Sequence, residues 1–267
     1  MKSLVHYIKI YTFMLLLPAL FAACNKEDLS GDKAMQVVIN GYNGGIDELE
    51  VSIDTTIYDK NTSNGKFTLK PASVIGFNVT YTYPFAQTQH TLRIKNPATG
   101  KVLFSKPLPE EGTKAVFNFI YINGKEVDVN APAAGANTNK LGFYLHGTES
   151  NDPIDIFLYR LDETNGAEHR EYLAKNVVPN IWTYIDYMPT AAFDDKNELD
   201  KSSMCFTKAG TIDQWAFQHD EDRSKLPPVG MNLPFKDERG LVQPYFITSG
   251  TWALEYSRLY FHPDRVR

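Results

Sequence analysis

The chain has 267 residues and a formal net charge of −5, with 13% aromatic and 22% charged residues. The acidic balance argues against a nucleic-acid partner, because a phosphate backbone calls for a basic face. The aromatic content is typical of a packed protein and excludes a disordered stalk. The length exceeds one ordinary β-domain and suits two.

The chain opens with the pattern of a secretory signal peptide, predicted to occupy residues 1–23. Lys2 and Lys9 supply a positive start, and residues 10–21 form an apolar run that is too short to span a bilayer. Small residues then precede Cys24. This order predicts export and cleavage just before the cysteine.

The sequence Leu-Phe-Ala-Ala-Cys at residues 20–24 resembles the lipobox of bacterial lipoproteins. The resemblance implies that Cys24 is acylated, with palmitate expected among its lipids, and that the mature chain is anchored to the outer membrane. An ordinary signal peptide with a coincidental cysteine is the alternative. Two or three acyl chains hold a protein durably, because each buried methylene contributes ~0.8 kcal/mol.

The residues after the cysteine carry a second resemblance. Lys26, Glu27 and Asp28 resemble the export signal that sends lipoproteins of the Bacteroidota phylum to the cell surface. Residues 24–33 are therefore expected to form a lipidated, flexible tether facing the cell exterior.

Residues 34–129 predict a first β-sandwich. Short runs rich in β-branched and aromatic residues alternate with Gly, Asn and Asp, and residues 77–83 alternate apolar and polar positions. Residues 92–104 predict a hairpin, and Asn123-Gly124 suits a type I′ turn. The pattern favours an all-β fold of antiparallel sandwiches, immunoglobulin-like or jelly-roll-like.

Residues 130–140 contain no large apolar side chain and predict a linker. Residues 141–267 then predict a second antiparallel sandwich. Within it, Ser203–Thr207 is typical of a strand with Met204 and Phe206 on one face, which leaves Cys205 as a buried, inert thiol on the other. A catalytic cysteine is the alternative.

A weak internal echo links the two predicted modules. Residues 38–41 with 46–47 recur as residues 144–147 with 154–155. In both places a strand ends in a polar residue and Gly, and a new strand starts at Ile-Asp. The echo is consistent with duplicated modules and also with chance.

Aromatic side chains in the second module are the candidates for binding, because flat apolar rings match the C–H faces of sugars. Alternation favours core positions for Trp182 and Trp252. Trp215 has polar neighbours, which leaves both interpretations open. The predicted ligand-binding residues are Asp213, Gln214, Trp215, Phe217 and Gln218, with Trp182 as a further candidate.

Two acidic runs, at residues 194–200 and 220–222, predict solvated loops. The first lacks the Gly and terminal Glu of a calcium-binding EF-hand loop. Serine-nucleophile, zinc and phosphate-binding motifs are missing from the sequence, as is the carboxylate run of the sandwich glycosidases. The sequence therefore predicts no catalytic residue, metal site or cofactor.

The whole chain resembles the small two-domain β-sandwich lipoproteins of Bacteroidota. The resemblance implies a non-catalytic binding or accessory subunit of an outer-membrane complex, which captures glycans together with a TonB-dependent transporter. A structural or adhesive component of a surface assembly or pilus is the alternative.

Overall fold

The structure is a computed structural model of the chain. It describes residues 31–59, 68–194, 196–259, 261–262 and 265. The predicted signal peptide, Cys24 and the tripeptide 26–28 lie outside the described residues. Within the described part, no helix combines the length and the apolar content that crossing a membrane requires.

The first half of the described chain forms eight strands. They are β1 (Asp32–Asn43), β2 (Glu50–Ile53), β3 (Thr56–Tyr58), β4 (Ser73–Pro84), β5 (Thr91–Lys95), β6 (Val102–Pro107), β7 (Lys114–Ile122) and β8 (Lys125–Glu126). They build two four-stranded sheets, ordered β4-β1-β7-β8 and β3-β2-β5-β6.

The second half forms eight more strands. They are β9 (Asn139–His146), β10 (Ile154–Leu161), β11 (Glu168–Val177), β12 (Thr183–Tyr187), β13 (Ser203–Lys208), β14 (Lys225–Leu226), β15 (Val242–Ser249) and β16 (Leu254–Arg258). Their sheets are ordered β12-β9-β15-β16 and β11-β10-β13-β14.

These sheets confirm the predicted all-β sandwich architecture, and the two halves share one topology. The sheet orders of the second half repeat those of the first half when eight is subtracted from each strand number, so β9 corresponds to β1 and β10 to β2. The parallel pairs also correspond, since β1 pairs with β7 and β9 pairs with β15. The sequence analysis predicted antiparallel pairing alone. A parallel pair is possible because β1 and β7 are joined by a long crossover through the other sheet and not by a hairpin.

The core of the second sandwich is built by alternation along its strands. In β10, Ile154, Ile156 and Leu158 point inward, where they meet Met204 and Phe206 of β13. The residues between them therefore point to the outer face of the sheet. This parity places Phe157 and Cys205 on the outer face of the sheet, and Cys205 is buried there on the face opposite Met204 and Phe206, as the sequence predicted.

A second apolar cluster joins residues of both sandwiches. It contains Tyr42, Ile120, Ile122, Tyr144, Phe246 and Leu259. The rings of Tyr42 and Phe246 stack with their centroids 4.7 Å apart. The cluster buries apolar surface between the two halves, which favours their packing as one body.

The chain also divides into a small unit, residues 31–34 with 82–88, and a large unit that holds both clusters described above. In the small unit the Lys33 ammonium lies 4.3 Å from the Phe85 ring centroid. The Phe85 amide donates to the Gly31 carbonyl over 3.2 Å.

The acidic run at residues 194–200 differs from the predicted loop. Residues Lys196–Asp200 form a short helix, α1. Leu199 is buried, and Glu198 forms an ion pair with Arg160 over 2.8 Å. The apolar anchor and the ion pair hold one helical turn that the acidic composition alone does not indicate.

Candidate functional site

Trp215 lies on the outer face of the sheet β11-β10-β13-β14. An isolated bridge pairs it with Thr207 of β13, and both side chains point outward. The indole is half-buried, and the Lys225 ammonium lies 5.2 Å from its ring centroid. One face of the ring is thus covered by a cation, and part of its surface remains accessible.

The same face carries a row of side chains across the sheet. Strand register aligns Tyr172 of β11, Phe157 of β10, Cys205 of β13 and Lys225 of β14. Phe157 is 2% exposed and Tyr172 is 37% exposed, and their ring centroids lie 5.4 Å apart. The row therefore has two buried residues, Phe157 and Cys205, at its centre and an accessible tyrosine at one edge.

Two further cations lie over aromatic rings on this face. The guanidinium carbon of Arg170 is 4.9 Å from the Phe157 centroid and 5.7 Å from that of Tyr159. The Lys175 ammonium is 4.1 Å from the Tyr172 centroid. Such cation–π contacts hold long side chains in defined positions.

We refer to these seven residues together as the outer aromatic face. They are Phe157, Tyr159, Arg170, Tyr172, Lys175, Trp215 and Lys225.

A buried carboxylate orders the chain at one end of this face. Asp155 accepts hydrogen bonds from the amides of Asn176 and Gly210, each over 2.9 Å. The Lys208 amide donates to the Gln214 carbonyl over 2.7 Å. These bonds fix the hairpin that carries Trp215 against the sheet.

Of the other predicted binding residues, Phe217 does not lie at the surface, so its predicted role in binding is wrong. Its side chain is fully buried and packs edge-on against Phe206 in the core. The strand pairing ends after Ala216, and the chain turns inward, so Trp215 and Phe217 do not share a face. Asp213, Gln214 and Gln218 are exposed.

Trp182 lies on the opposite sheet of the sandwich, so the structure does not bring it together with Trp215. It stacks on Tyr184 with centroids 5.7 Å apart and packs against the cluster that joins the two sandwiches. Gly142 makes room for this pair, because a Cβ there would meet the Tyr184 ring at 2.4 Å. Burial raises the pKa of Tyr184 to about 12.

Trp252 overturns the expectation of a core position. It is 86% exposed, in the turn between β15 and β16. The alternating pattern predicted that Trp252 shares the core-facing side of a strand with Leu254. The strand β16 begins only at Leu254, so Trp252 precedes it and the indole lies in solvent.

The sequence analysis missed most of the outer aromatic face. A usable signal lies in residues 154–161, where Phe157 and Tyr159 alternate with the inward apolar residues. The cations could not be placed, because strand register determines which of them lie over rings.

The thiol of Cys205 is not activated as a nucleophile. Burial raises the pKa of the Cys205 thiol to about 11, so the nucleophilic thiolate is scarce at neutral pH. Among the described residues, no group of three or more His, Cys, Asp or Glu side chains is arranged to hold a metal ion. The accessible rings, amides and cations are suited to non-covalent binding.

Comparison with known proteins gives structural neighbours at low similarity. One is a candidate cell adhesion protein from Bacteroides uniformis, with 10% identity, a TM-score of 0.26 and coverage of 84% of this chain and 97% of that one. A second is a family 26 carbohydrate-binding module of Amy13K from Eubacterium rectale, with 13% identity, a TM-score of 0.23 and coverage of 86% and 99%.

A third neighbour is a candidate adhesin from Bacteroides ovatus, with 10% identity, a TM-score of 0.23 and coverage of 90% and 98%. No family model and no curated protein sequence matches the chain. At these scores the neighbours carry no argument about function, which depends on the site itself.

Proposed function

We propose that this protein is a non-catalytic glycan-binding lipoprotein of the cell surface and that the outer aromatic face contacts the glycan. Cys24 carries the lipid, and Lys26, Glu27 and Asp28 direct display on the cell exterior. The protein serves as an accessory subunit that captures glycan for an outer-membrane transporter of the TonB-dependent type.

The proposal depends chiefly on the contrast between equivalent faces of the two sandwiches. In the first sandwich the corresponding row across the sheet consists of Ile57, Ser52, Arg93 and Ser105. The second sandwich has Tyr172, Phe157, Cys205 and Lys225 in its row, with Trp215 alongside. Since both sandwiches share one topology, folding alone does not require aromatic residues on this face.

The decisive experiment compares two tryptophan variants of the full-length protein in detergent. Trp215→Ala should weaken glycan binding roughly 30-fold, because losing an interface tryptophan typically costs ~2 kcal/mol or more. Trp252→Ala removes an indole that is more exposed and lies outside the outer aromatic face, so binding should not change.

Both variants need a melting curve, since Trp215 is half-buried. Retained glycan affinity in a folded Trp215→Ala variant would refute the site. A Trp215→Phe variant keeps a ring and should recover part of the affinity, which separates loss of stacking from loss of packing.

Anchoring and display are tested separately from binding. Blocking lipoprotein signal peptidase should cause the precursor to accumulate, and Cys24→Ala should abolish acyl labelling. Replacing residues 26–28 with alanine should leave the protein membrane-bound but shielded from protease added to intact cells. Unchanged protease access would contradict the role of the tripeptide.

The partner is tested by capture of the native protein from solubilised outer membranes. Recovery of a TonB-dependent transporter would support the accessory role. Recovery of the protein in a pilus or other surface polymer, without a transporter, would favour the structural or adhesive alternative.

A further inference from the structure

We infer that the ligand of the outer aromatic face is an acidic glycan, whose carboxylate or sulfate groups meet Arg170 and Lys175. This inference deepens the proposed glycan-binding function and rests on it. It follows from the way charge is distributed on this face.

Arg170 and Lys175 lie over aromatic rings and have no carboxylate within ion-pair distance among the residues that the structure describes. Both side chains are exposed. Aromatic contact orients a cation without neutralising its charge, so these groups remain available to an anion. Arg170 additionally offers the planar donor fork that suits a carboxylate or sulfate.

The acids near this face leave Arg170 and Lys175 unpaired. Asp155 is buried and already accepts two backbone hydrogen bonds. Glu221 pairs with Lys225 and neutralises that cation. Glu168 lies two residues before Arg170 on the same face of β11, and no ion pair joins these two side chains. Asp213 is exposed in the loop that precedes Trp215.

The first sandwich again provides the comparison. On its equivalent face Lys95 forms an ion pair with Glu50 over 2.8 Å. The equivalent face of the second sandwich places the cations Arg170 and Lys175 of β11 over aromatic rings. The net charge of the whole chain is −5, so a cationic face is a local departure from the overall composition.

The rings favour a glycan over an acidic peptide as the occupant. Tyr172 and Trp215 expose flat surface beside the cations, which matches the C–H face of a sugar ring. The hydroxyls of Tyr159 and Ser203, which are aligned across the sheet, can bond to sugar hydroxyls. A uronic acid or sulfated sugar presents both features in one residue.

The test is binding of full-length protein in detergent to acidic polysaccharides, including polygalacturonate and heparin. Each uronate polymer is paired with its carboxyl-reduced form, and each sulfated polymer with its desulfated form. Binding should weaken about tenfold or more when the charge is removed from the polymer. It should also weaken as sodium chloride is raised.

Arg170→Gln and Lys175→Gln should each reduce affinity for the acidic polymers about tenfold and leave the melting temperature nearly unchanged. Arg93→Gln, on the equivalent face of the first sandwich, removes the same charge and should have no effect. If Arg170→Lys keeps the full affinity for the acidic polymers, the positive charge of Arg170 alone accounts for its contribution. If this variant loses part of the affinity, the planar donor fork of the guanidinium also contributes.

The outcomes separate this inference from the proposed function. Binding of neutral polymers as tight as that of the acidic ones, lost in Trp215→Ala, would overturn the inference and leave glycan binding in place. Binding of polyglutamate as tight as that of the polysaccharides would overturn the choice of a glycan. Absence of binding to every polysaccharide would refute both.

Discussion

Asp54 is the centre of a polar network in the first sandwich. Its Oδ2 lies 2.7 Å from Nδ1 of His90 and accepts the Tyr81 hydroxyl over 2.9 Å, while Oδ1 accepts the Thr91 amide over 2.8 Å. Burial raises the pKa of this carboxyl, but the bonds from His90, Thr91 and Tyr81 outweigh it, so the pKa falls below its ordinary value. Folding therefore favours the ionised carboxylate.

We expect Asp54→Asn to destabilise the protein by about 1–2 kcal/mol near neutral pH, because a charged hydrogen-bond partner is lost. The folded-state pKa lies below the ordinary value of 3.8, so the contribution is present above that pH and is lost as the pH falls below it. Urea titrations of both proteins across this range check the sign. Asp59→Asn, an exposed carboxylate, is the charge control. A difference that does not change with pH would contradict the argument.

Cys205 should resist alkylation in the folded protein. It is 1% exposed, and burial raises its pKa to about 11 from an ordinary 9.0. The folded protein therefore limits both the access of a reagent to the Cys205 sulfur and the formation of the thiolate. Unfolding removes both limits. Labelling with a thiol reagent near pH 8 should be slow in buffer and rapid in urea. Rapid labelling of the native protein would show that the outer aromatic face opens at this point.

At the scale of single residues, the sequence predicted that Cys205 is buried on the face opposite Met204 and Phe206, and it failed for Phe217 and Trp252. Trp215 and Phe217 are two positions apart, as in a strand, yet one lies on the sheet surface and the other in the core. Trp252 fits an alternating pattern and lies in a turn. Alternation assigns residues to the two faces of a sheet only within a strand. Where a strand ends depends on pairing partners that are distant in the chain.

Among the elements, the turn between β7 and β8 forms as the sequence predicted. Asn123 and Gly124 have φ values of 52° and 80°, the left-handed pair that a type I′ turn requires. Pairing of Ile122 with Lys125 confirms the hairpin. Local chemistry was sufficient here because the turn involves only neighbouring residues.

Gly124→Ala should destabilise the protein by about 1 kcal/mol, through backbone strain alone. No atom lies within 4 Å of a Cβ at this position, so steric clash does not contribute. Gly76 in β4 is equally open but does not have a positive φ, and Gly76→Ala should be neutral or slightly stabilising. Chemical denaturation of both variants is the measurement. Equal effects would show that the positive φ is not the cause.

Elements that depend on distant contacts were not predictable. The helix α1 forms within an acidic run because Leu199 enters the core and Glu198 reaches Arg160. The parallel pairs β1 with β7 and β9 with β15 join segments more than seventy residues apart. No local pattern encodes such a pairing.

For the whole molecule, the two halves share one strand order, but the sequence echo matches it only in part. Residues 38–41 lie in β1 and residues 144–146 in its counterpart β9. Ile154 begins β10, whereas β1 continues to Asn43 and β2 begins only at Glu50, so residues 46–47 do not start a strand as the echo predicted. The aromatic and cationic residues of the outer aromatic face are instead confined to the second half. Two sandwiches of one topology thus carry different surfaces, which separates what the fold requires from what a ligand requires.

The division at residues 130–140 remains a prediction, and the cluster around Tyr42 and Phe246 makes it testable in a specific way. Limited proteolysis should cut first within the predicted linker at residues 130–140, on the N-terminal side of Asn139, where β9 begins. No strand protects the backbone there, and small residues bury little surface. The nicked halves should nevertheless elute together in size-exclusion chromatography, because the apolar cluster still joins them.

Phe246→Asp places a charge in this cluster and should let the nicked halves separate, since an unpaired buried charge is costly. Trp252→Asp, a change at an 86% exposed ring, is the control and should leave them together. Thermal melts of each uncut variant show whether the sandwiches themselves stay folded. First cleavage inside a sandwich would refute the boundary, and separation of the unmutated halves would show that the cluster does not hold them.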